Sequence, residues 1–208
     1  MIWVFTAPHP VKGEIEIIKD LLQAGAHKVV LRKPDWTAQQ YTALLEKMDA
    51  QFYRQIIIRD NCWLYKSFRL GGVHWSRENR EMLLPAQLQK WVSNHPHSST
   101  GVHTLSEIAS LDGIFNYLLL SPVFNSISKT DYDGRFMGIA PAVKYSRLIA
   151  LGGIHERNID LLPGWNFSGA AVLGYIWQHP NQALNKLQQL QQQWQLGVEK
   201  KMENENKK

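Results

Sequence analysis

Short apolar runs alternate with segments of helical periodicity along most of this chain. Ile2–Phe5, Lys28–Leu31, Gln55–Ile58, Gly71–Trp75, Thr100–His103, Tyr117–Leu120, Leu148–Leu151 and Ala170–Leu173 are four or five residues each, and each closes on proline, glycine or polar residues. Runs of this kind predict strands. They are continuously apolar, as in a parallel sheet covered on both faces. Between them, Glu14–Ala24 sets Ile15, Ile18, Leu21 and Leu22 at helical spacing and stops at Gly25. Thr37 predicts an N-cap for a helix through Tyr41, Leu44, Leu45 and Met48. Further helices are expected from Trp63, over Ala86–Val92, from Thr104 through Leu105 and Ile108, and from Pro180 to about Leu196. Eight strands, each followed by a helical or loop segment, in 208 residues predict a single (β/α)8 TIM barrel of the phosphate-binding type, with an open doubly wound sheet as the alternative. Glu199–Lys208 is charged and lacks apolar periodicity, which predicts a barrel over 1–197 and a disordered tail over 198–208.

Composition narrows the classes. No apolar run approaches the ~20 residues of a membrane span, and Met1–Thr6 lacks the basic region of a signal peptide and reads as the first strand. A cytoplasmic location is therefore expected. The net charge of +5 suits an anionic partner, but the basic residues are scattered rather than striped, so small phosphates are expected instead of nucleic acid. Cys62 is the single cysteine, with no thiol partner and no base beside it in sequence, and reads as inert. A homo-oligomer is compatible with all of this.

Active sites of barrels form on the loops after the strands, and the polar residues of this chain collect there. Arg32 and Lys33 follow the second strand, Arg59 and Asp60 the third, His74 lies near the end of the fourth and His103 ends the fifth. After the sixth strand come Ser126, Ser128 and Lys129, two hydroxyls and an ammonium spaced to surround an anion. Gly152, Gly153 and Gly174 follow the last two strands, where glycine lets backbone N–H groups approach a phosphate. His103 is the acid/base candidate, with His74 second. Asp60 is a single hard oxygen ligand for Mg²⁺ or, alternatively, an ion-pair partner of Arg59. Trp75 and Trp177 stand near strand ends, as core residues or as walls of a ring-binding pocket.

These motifs, in this order, resemble the thiamine phosphate synthase/TenI superfamily. The match runs to about Trp177 and rests on Val29-Val-Leu-Arg32, Ile56-Ile-Ile-Arg-Asp60, Gly72-Val-His74, Gly101-Val-His-Thr104, Pro122-Val-Phe124 with Ser126-Ile-Ser-Lys129, and Ala150-Leu-Gly-Gly-Ile154. The resemblance implies an enzyme of thiamine biosynthesis that binds thiazole phosphate on Gly152, Gly153, Leu173 and Gly174, with His103 and Lys129 in catalytic positions and Arg32, Arg59, Ser126 and Ser128 contacting substrate. The synthase branch joins a pyrimidine diphosphate to thiazole phosphate and uses Mg²⁺; the TenI branch tautomerises a thiazole phosphate carboxylate and needs no metal. The chain departs from the synthase pattern at Pro34 for a lysine, Arg59 for an asparagine, Gly101 for a serine and Asn79 for the metal-binding aspartate. Loss of a cation, a hydroxyl donor and a carboxylate together favours the tautomerase. The synthase, and a non-catalytic binder of thiazole or pyrimidine phosphates, are the alternatives.

Overall fold

The computed structural model describes residues 1–95, 97–125, 134–139, 141–144 and 146–207. Eight parallel strands close into a barrel in chain order: β1 Ile2–Phe5, β2 Lys28–Leu31, β3 Ile56–Arg59, β4 Gly72–Trp75, β5 Ser99–Val102, β6 Tyr117–Leu120, β7 Arg147–Leu151 and β8 Gly169–Val172. Closure is direct, with Trp3 opposite Ala171 across β1 and β8. The open-sheet alternative is thereby excluded. The strands expected at Gln55–Ile58 and Thr100–His103 sit one residue away, because the ladder follows partner register (Val29 opposite Ile56, Ser99 opposite Tyr117) instead of hydrophobicity alone.

The helices on the outside are α1 Glu14–Gln23, α2 Ala38–Leu45, α3 Cys62–Ser67, α4 Arg77–Glu81, α5 Pro85–Asn94, α6 Leu105–Leu111, α7 Gly174–Trp177 and α8 Ala183–Asn206. Local chemistry explains where they start. Thr37 forms a full capping box with Gln40, Asn61 and Ser76 accept the N–H groups of Leu64 and Asn79, and Thr104 accepts that of Glu107 at 3.1 Å, each satisfying a donor the helix leaves open. A 3-10 turn at Ile159–Leu161 stands where a helix would follow β7.

The last helix corrects the expectation of a disordered tail. It continues to Asn206, with Lys200 donating to Asp160 at 2.8 Å. Gly197 makes that path possible, since a Cβ there would overlap the Asp160 carbonyl.

Alternate strand residues point in opposite directions. One set, including Val4, Val29, Leu31, Ile58, Val73, Trp75 and Leu118, packs outward against the helices. The other fills the barrel: Trp3, Phe5, Val30, Ile57, Tyr117, Leu119, Ile149 and Ala171. Trp3 is fully buried and meets Tyr117 edge-on at 4.9 Å. Truncating such a residue costs roughly 3–5 kcal/mol. Trp75 and Trp177 are buried too: Trp177 serves the core with its indole N–H on the Phe5 carbonyl at 2.6 Å, while Trp75 packs against Trp91 and also lines the cavity at the barrel mouth.

Candidate active site

The inward parity of the strands continues past their ends and delivers Arg32, Arg59, His74, Gly101, His103, Ser121, Leu151 and Leu173 to the mouth, each an even number of residues from a barrel-filling or inward position. They line a cavity of about 280 Å³ with Phe5 at its floor. A second space, of about 470 Å³, opens beside it over the loops after β2, β3 and β4, and shares Arg32, Arg59, Ser76 and Glu78 with the first.

His103 is exposed, and its Nδ1 lies 2.9 Å from the carbonyl oxygen of Ser121 and 3.3 Å from its Oγ. A carbonyl only accepts, so Nδ1 carries the proton and Nε2 is left with its lone pair. The main chain is fixed as well: the His103 N–H donates to Glu107 Oε2 at 2.7 Å, and Oε1 receives Arg80 at 2.7 Å. Arg80 is buried and also donates to Thr100 Oγ1 and the Gly101 carbonyl. Burial would raise the pKa of Glu107, but the His103 N–H, Arg77 and Arg80 outweigh it and hold it below the ordinary carboxylate value. His74, by contrast, is buried with Nδ1 3.0 Å from Ser99 Oγ. Burial first, then Arg59, Arg32 and Arg80, push its pKa down to about 3. It stays neutral at physiological pH and is no proton reservoir.

On the opposite side of the mouth the backbone does the work. Gly152 and Gly153 have φ of 100° and 65°, a region that favours glycine. Val123 and Phe124 donate to the carbonyls of Leu151 and Gly152 at 3.0 and 3.1 Å, so the chain after β6 lies directly on this turn, and a Cβ on Gly153 would overlap the Asn125 carbonyl oxygen. Among the described residues the N–H groups of Gly152, Gly153 and Gly174 donate to no backbone carbonyl. Ser126, Ser128 and Lys129 lie outside the described residues. Their flanks meet, with the Gly134 N–H on Asn125 Oδ1 at 2.7 Å and the Arg135 N–H on the Pro122 carbonyl at 3.0 Å.

Residues 2–176 match the family model described as thiamine monophosphate synthase. The chain belongs to the thiamine monophosphate synthase/TenI family. It is accordingly an enzyme of thiamine biosynthesis. Among solved structures, the thiamine phosphate pyrophosphorylase of Bacteroides thetaiotaomicron is similar at TM-score 0.72 and 23% identity, over 94% of this chain and 98% of that one. That of Pyrococcus furiosus is similar at TM-score 0.74 and 17% identity, over 95% and 96%. At these identities the likeness carries the fold. No curated protein matches the sequence.

The Mg²⁺ of the family's synthase branch finds a poor donor set here. Asp60 Oδ1 accepts the Ser76 N–H at 2.7 Å, and Oδ2 accepts Arg59 Nε at 3.2 Å. Glu78 stands in the first turn of α4, where the backbone N–H and then Ser76 hold its pKa below the ordinary carboxylate value. Asn79 supplies an amide instead of a carboxylate, and among the described residues no three His, Cys, Asp or Glu converge as a metal centre. A small, strongly hydrated dication is held by carboxylates not already matched by a cation; with Asp60 paired to Arg59 and Asn79 neutral, these residues do not fit it. Lys33 does not restore the cation lost at Pro34: it is 2% exposed, with Nζ 2.6 and 2.7 Å from the two Glu14 oxygens. Cys62 is half-buried and burial pushes its thiol pKa up, so it is not an activated nucleophile.

Ser121, Glu107 and Arg80 are functional neighbours that residue-type reasoning passes over. Ser121 was legible by parity, two residues after inward Leu119, and Glu107 by its place three residues after the cap Thr104.

Proposed function

We propose that this chain is a thiazole phosphate tautomerase of the TenI type. The observation that carries the reading is the His103 ring, anchored through Nδ1 on the Ser121 carbonyl with Nε2 left as the acceptor. In the tautomerisation, Nε2 takes a proton from the non-aromatic ring system, the electron pair moves into the ring, and the same imidazolium returns a proton at another atom. The product is the aromatic isomer, with nothing gained or lost. Gly152, Gly153, Leu173 and Gly174 would hold the phosphate with backbone N–H groups, and Ser126, Ser128 and Lys129 would close the same anion from the loop after β6. Arg32 would take the carboxylate: its guanidinium makes no hydrogen bond among the described residues, and burial followed by the nearby Arg59 charge lowers its pKa, the mark of a cation lacking a counter-ion. Such phosphorylated substrates belong to the cytoplasm.

Thiamine phosphate synthesis is the second reading, favoured by the space of about 470 Å³ beside the mouth, which offers room for a pyrimidine. One experiment addresses both. Purified protein is given the thiazole phosphate carboxylate tautomer alone, then thiazole phosphate with hydroxymethylpyrimidine diphosphate. We expect isomerisation in the first case. His103→Ala should lower kcat by roughly 10²–10⁴-fold while thiazole phosphate binding changes little. Equal loss of binding and turnover would count against a proton-transfer role, and thiamine phosphate formation without isomerisation would establish the synthase instead.

A further inference from the structure

We infer that the mouth binds the second anionic group of its substrate on Arg32 together with a second fixed guanidinium, Arg59, standing where a divalent cation would otherwise act, so that oxyanion binding there is independent of metal. The inference rests on the reading of the mouth as a phosphate-ligand site, but not on which of the two reactions runs there.

The argument begins with Asp60. Its backbone is left-handed at φ 53°, a conformation that costs a non-glycine residue free energy and persists only where surroundings enforce it. Here the Asp60 N–H donates to the His74 carbonyl at 3.1 Å, and the carboxylate reaches the Ser76 N–H at 2.7 Å. The side chain thus ties the end of β3 to the loop after β4, and its charge is matched by Arg59 Nε at 3.2 Å. A dication at this carboxylate would compete with Arg59 for its charge and would stand against two guanidiniums.

The arginine remains available. With Nε on Asp60, both terminal nitrogens of Arg59 make no hydrogen bond among the described residues, and Arg59 lines both cavities together with Arg32. Two cations facing one space, one of them without an acidic partner, repel each other until an oxyanion enters. A guanidinium also offers paired donors in the geometry of a phosphate or carboxylate edge, which a hydrated metal does not. The replacement of a ligand carboxylate by Asn79 removes one charge a metal would use, and the acid that remains near Arg59, Glu78, is held at the start of its own helix by the backbone N–H and Ser76.

The test uses inorganic diphosphate as probe, titrated calorimetrically into the whole chain with EDTA and again with Mg²⁺, alongside Mn²⁺ binding by electron paramagnetic resonance. We expect the same diphosphate affinity within two-fold in both buffers and no bound Mn²⁺. Arg59→Asn should weaken diphosphate at least 10-fold in EDTA, Arg59→Lys should recover part of the loss, and Arg59→Asn with Asn79→Asp should gain a Mn²⁺ signal. A parallel titration with thiazole-2-carboxylate asks which anion the site prefers; metal-free binding of either, lost in Arg59→Asn, supports the inference. Binding of diphosphate only with Mg²⁺, binding of neither anion, or one Mn²⁺ per wild-type chain abolished by Asp60→Asn would overturn it. A failed tautomerase assay with metal-free diphosphate binding intact would remove the proposed reaction and leave this inference standing.

Discussion

The two sides of the barrel mouth handle charge by different means. On the side of β2 to β5, side chains carry it: Arg32 and Arg59 face the cavity, Asp60 braces Arg59, and the Arg80–Glu107 pair fixes the loop of His103. On the side of β6 to β8 the mouth is neutral backbone, a glycine turn pressed against the chain leaving β6. The difference is in tolerance. A side-chain charge can be exchanged without moving the main chain, whereas a backbone cradle exists only while its glycines keep their conformation. The departures from the synthase pattern, at Pro34, Arg59, Asn79 and Gly101, all fall on the first side, which is where chemistry can diverge while the glycine turn stays in place.

The largest effect should therefore follow from breaking the backbone side. Gly153→Ala adds a Cβ that overlaps the Asn125 carbonyl oxygen, at a residue with φ of 65°. Strain and overlap together should cost roughly 3 kcal/mol or more, read as a lower urea midpoint with loss of thiazole phosphate binding. Gly138→Ala is the control: φ is 71°, but among the described residues a Cβ there meets nothing within 4 Å, so the conformational cost of about 1 kcal/mol remains. Equal midpoints for the two variants would refute the packing account.

On the side-chain half, Arg32→Met keeps the length of the side chain and removes the charge. Affinity for the carboxylate-bearing thiazole phosphate should fall by roughly 1.5–3 kcal/mol, measured by calorimetry, while the melting temperature holds or rises because Arg59 loses a like-charged neighbour. A drop in stability with unchanged affinity would show that Arg32 is structural.

A smaller effect on the same half is a dependence of stability on pH. His74 has a pKa lowered from 6.5 to about 3, by burial first and then by the arginines around it. Between those values the unfolded chain takes up a proton that the folded chain refuses, so stability is full above pH 6.5 and declines as the pH falls. The slope from this one group is at most about 1.4 kcal/mol per pH unit. His27, lowered to about 4 by burial and nearby cations, acts in the same direction. Unfolding curves of His74→Gln from pH 7 to pH 4 should be flatter than wild type but not flat; an unchanged slope would mean that His74 titrates normally.

The barrel was legible because a strand buried on both faces is written as an unbroken apolar run, and eight such runs leave few alternatives. Much of the mouth was legible for a related reason: the residues just past each run, Arg32, Arg59 and His103, inherit its inward parity. Lys33 shows the limit of reading by adjacency. One residue beyond Arg32 the parity reverses, and its ammonium goes down to Glu14, a partner that no local pattern announces. α4, Arg77–Glu81, has no apolar stripe and is set by the Ser76 cap alone. The end of α8 is held by contacts with a 3-10 turn distant in sequence. Ser121 acts on His103 through its carbonyl oxygen, which every residue type possesses.

The boundary between the two halves is Gly101, and it offers the mildest and most discriminating change. It faces the cavity at the position before Val102 and His103, and among the described residues a Cβ there meets nothing within 4 Å. Gly101→Ser should therefore fold normally, within about 0.5 kcal/mol of wild type, and place a hydroxyl among Arg32, Arg59 and His103. If the mouth serves a tautomerase, the added donor has no leaving diphosphate to meet and turnover should stay within about two-fold of wild type. If it serves diphosphate departure, a donor aimed at the developing charge should raise transfer measurably. A gain in thiamine phosphate formation from this one hydroxyl would sink the tautomerase reading, because only a site already organised around a leaving diphosphate could use it.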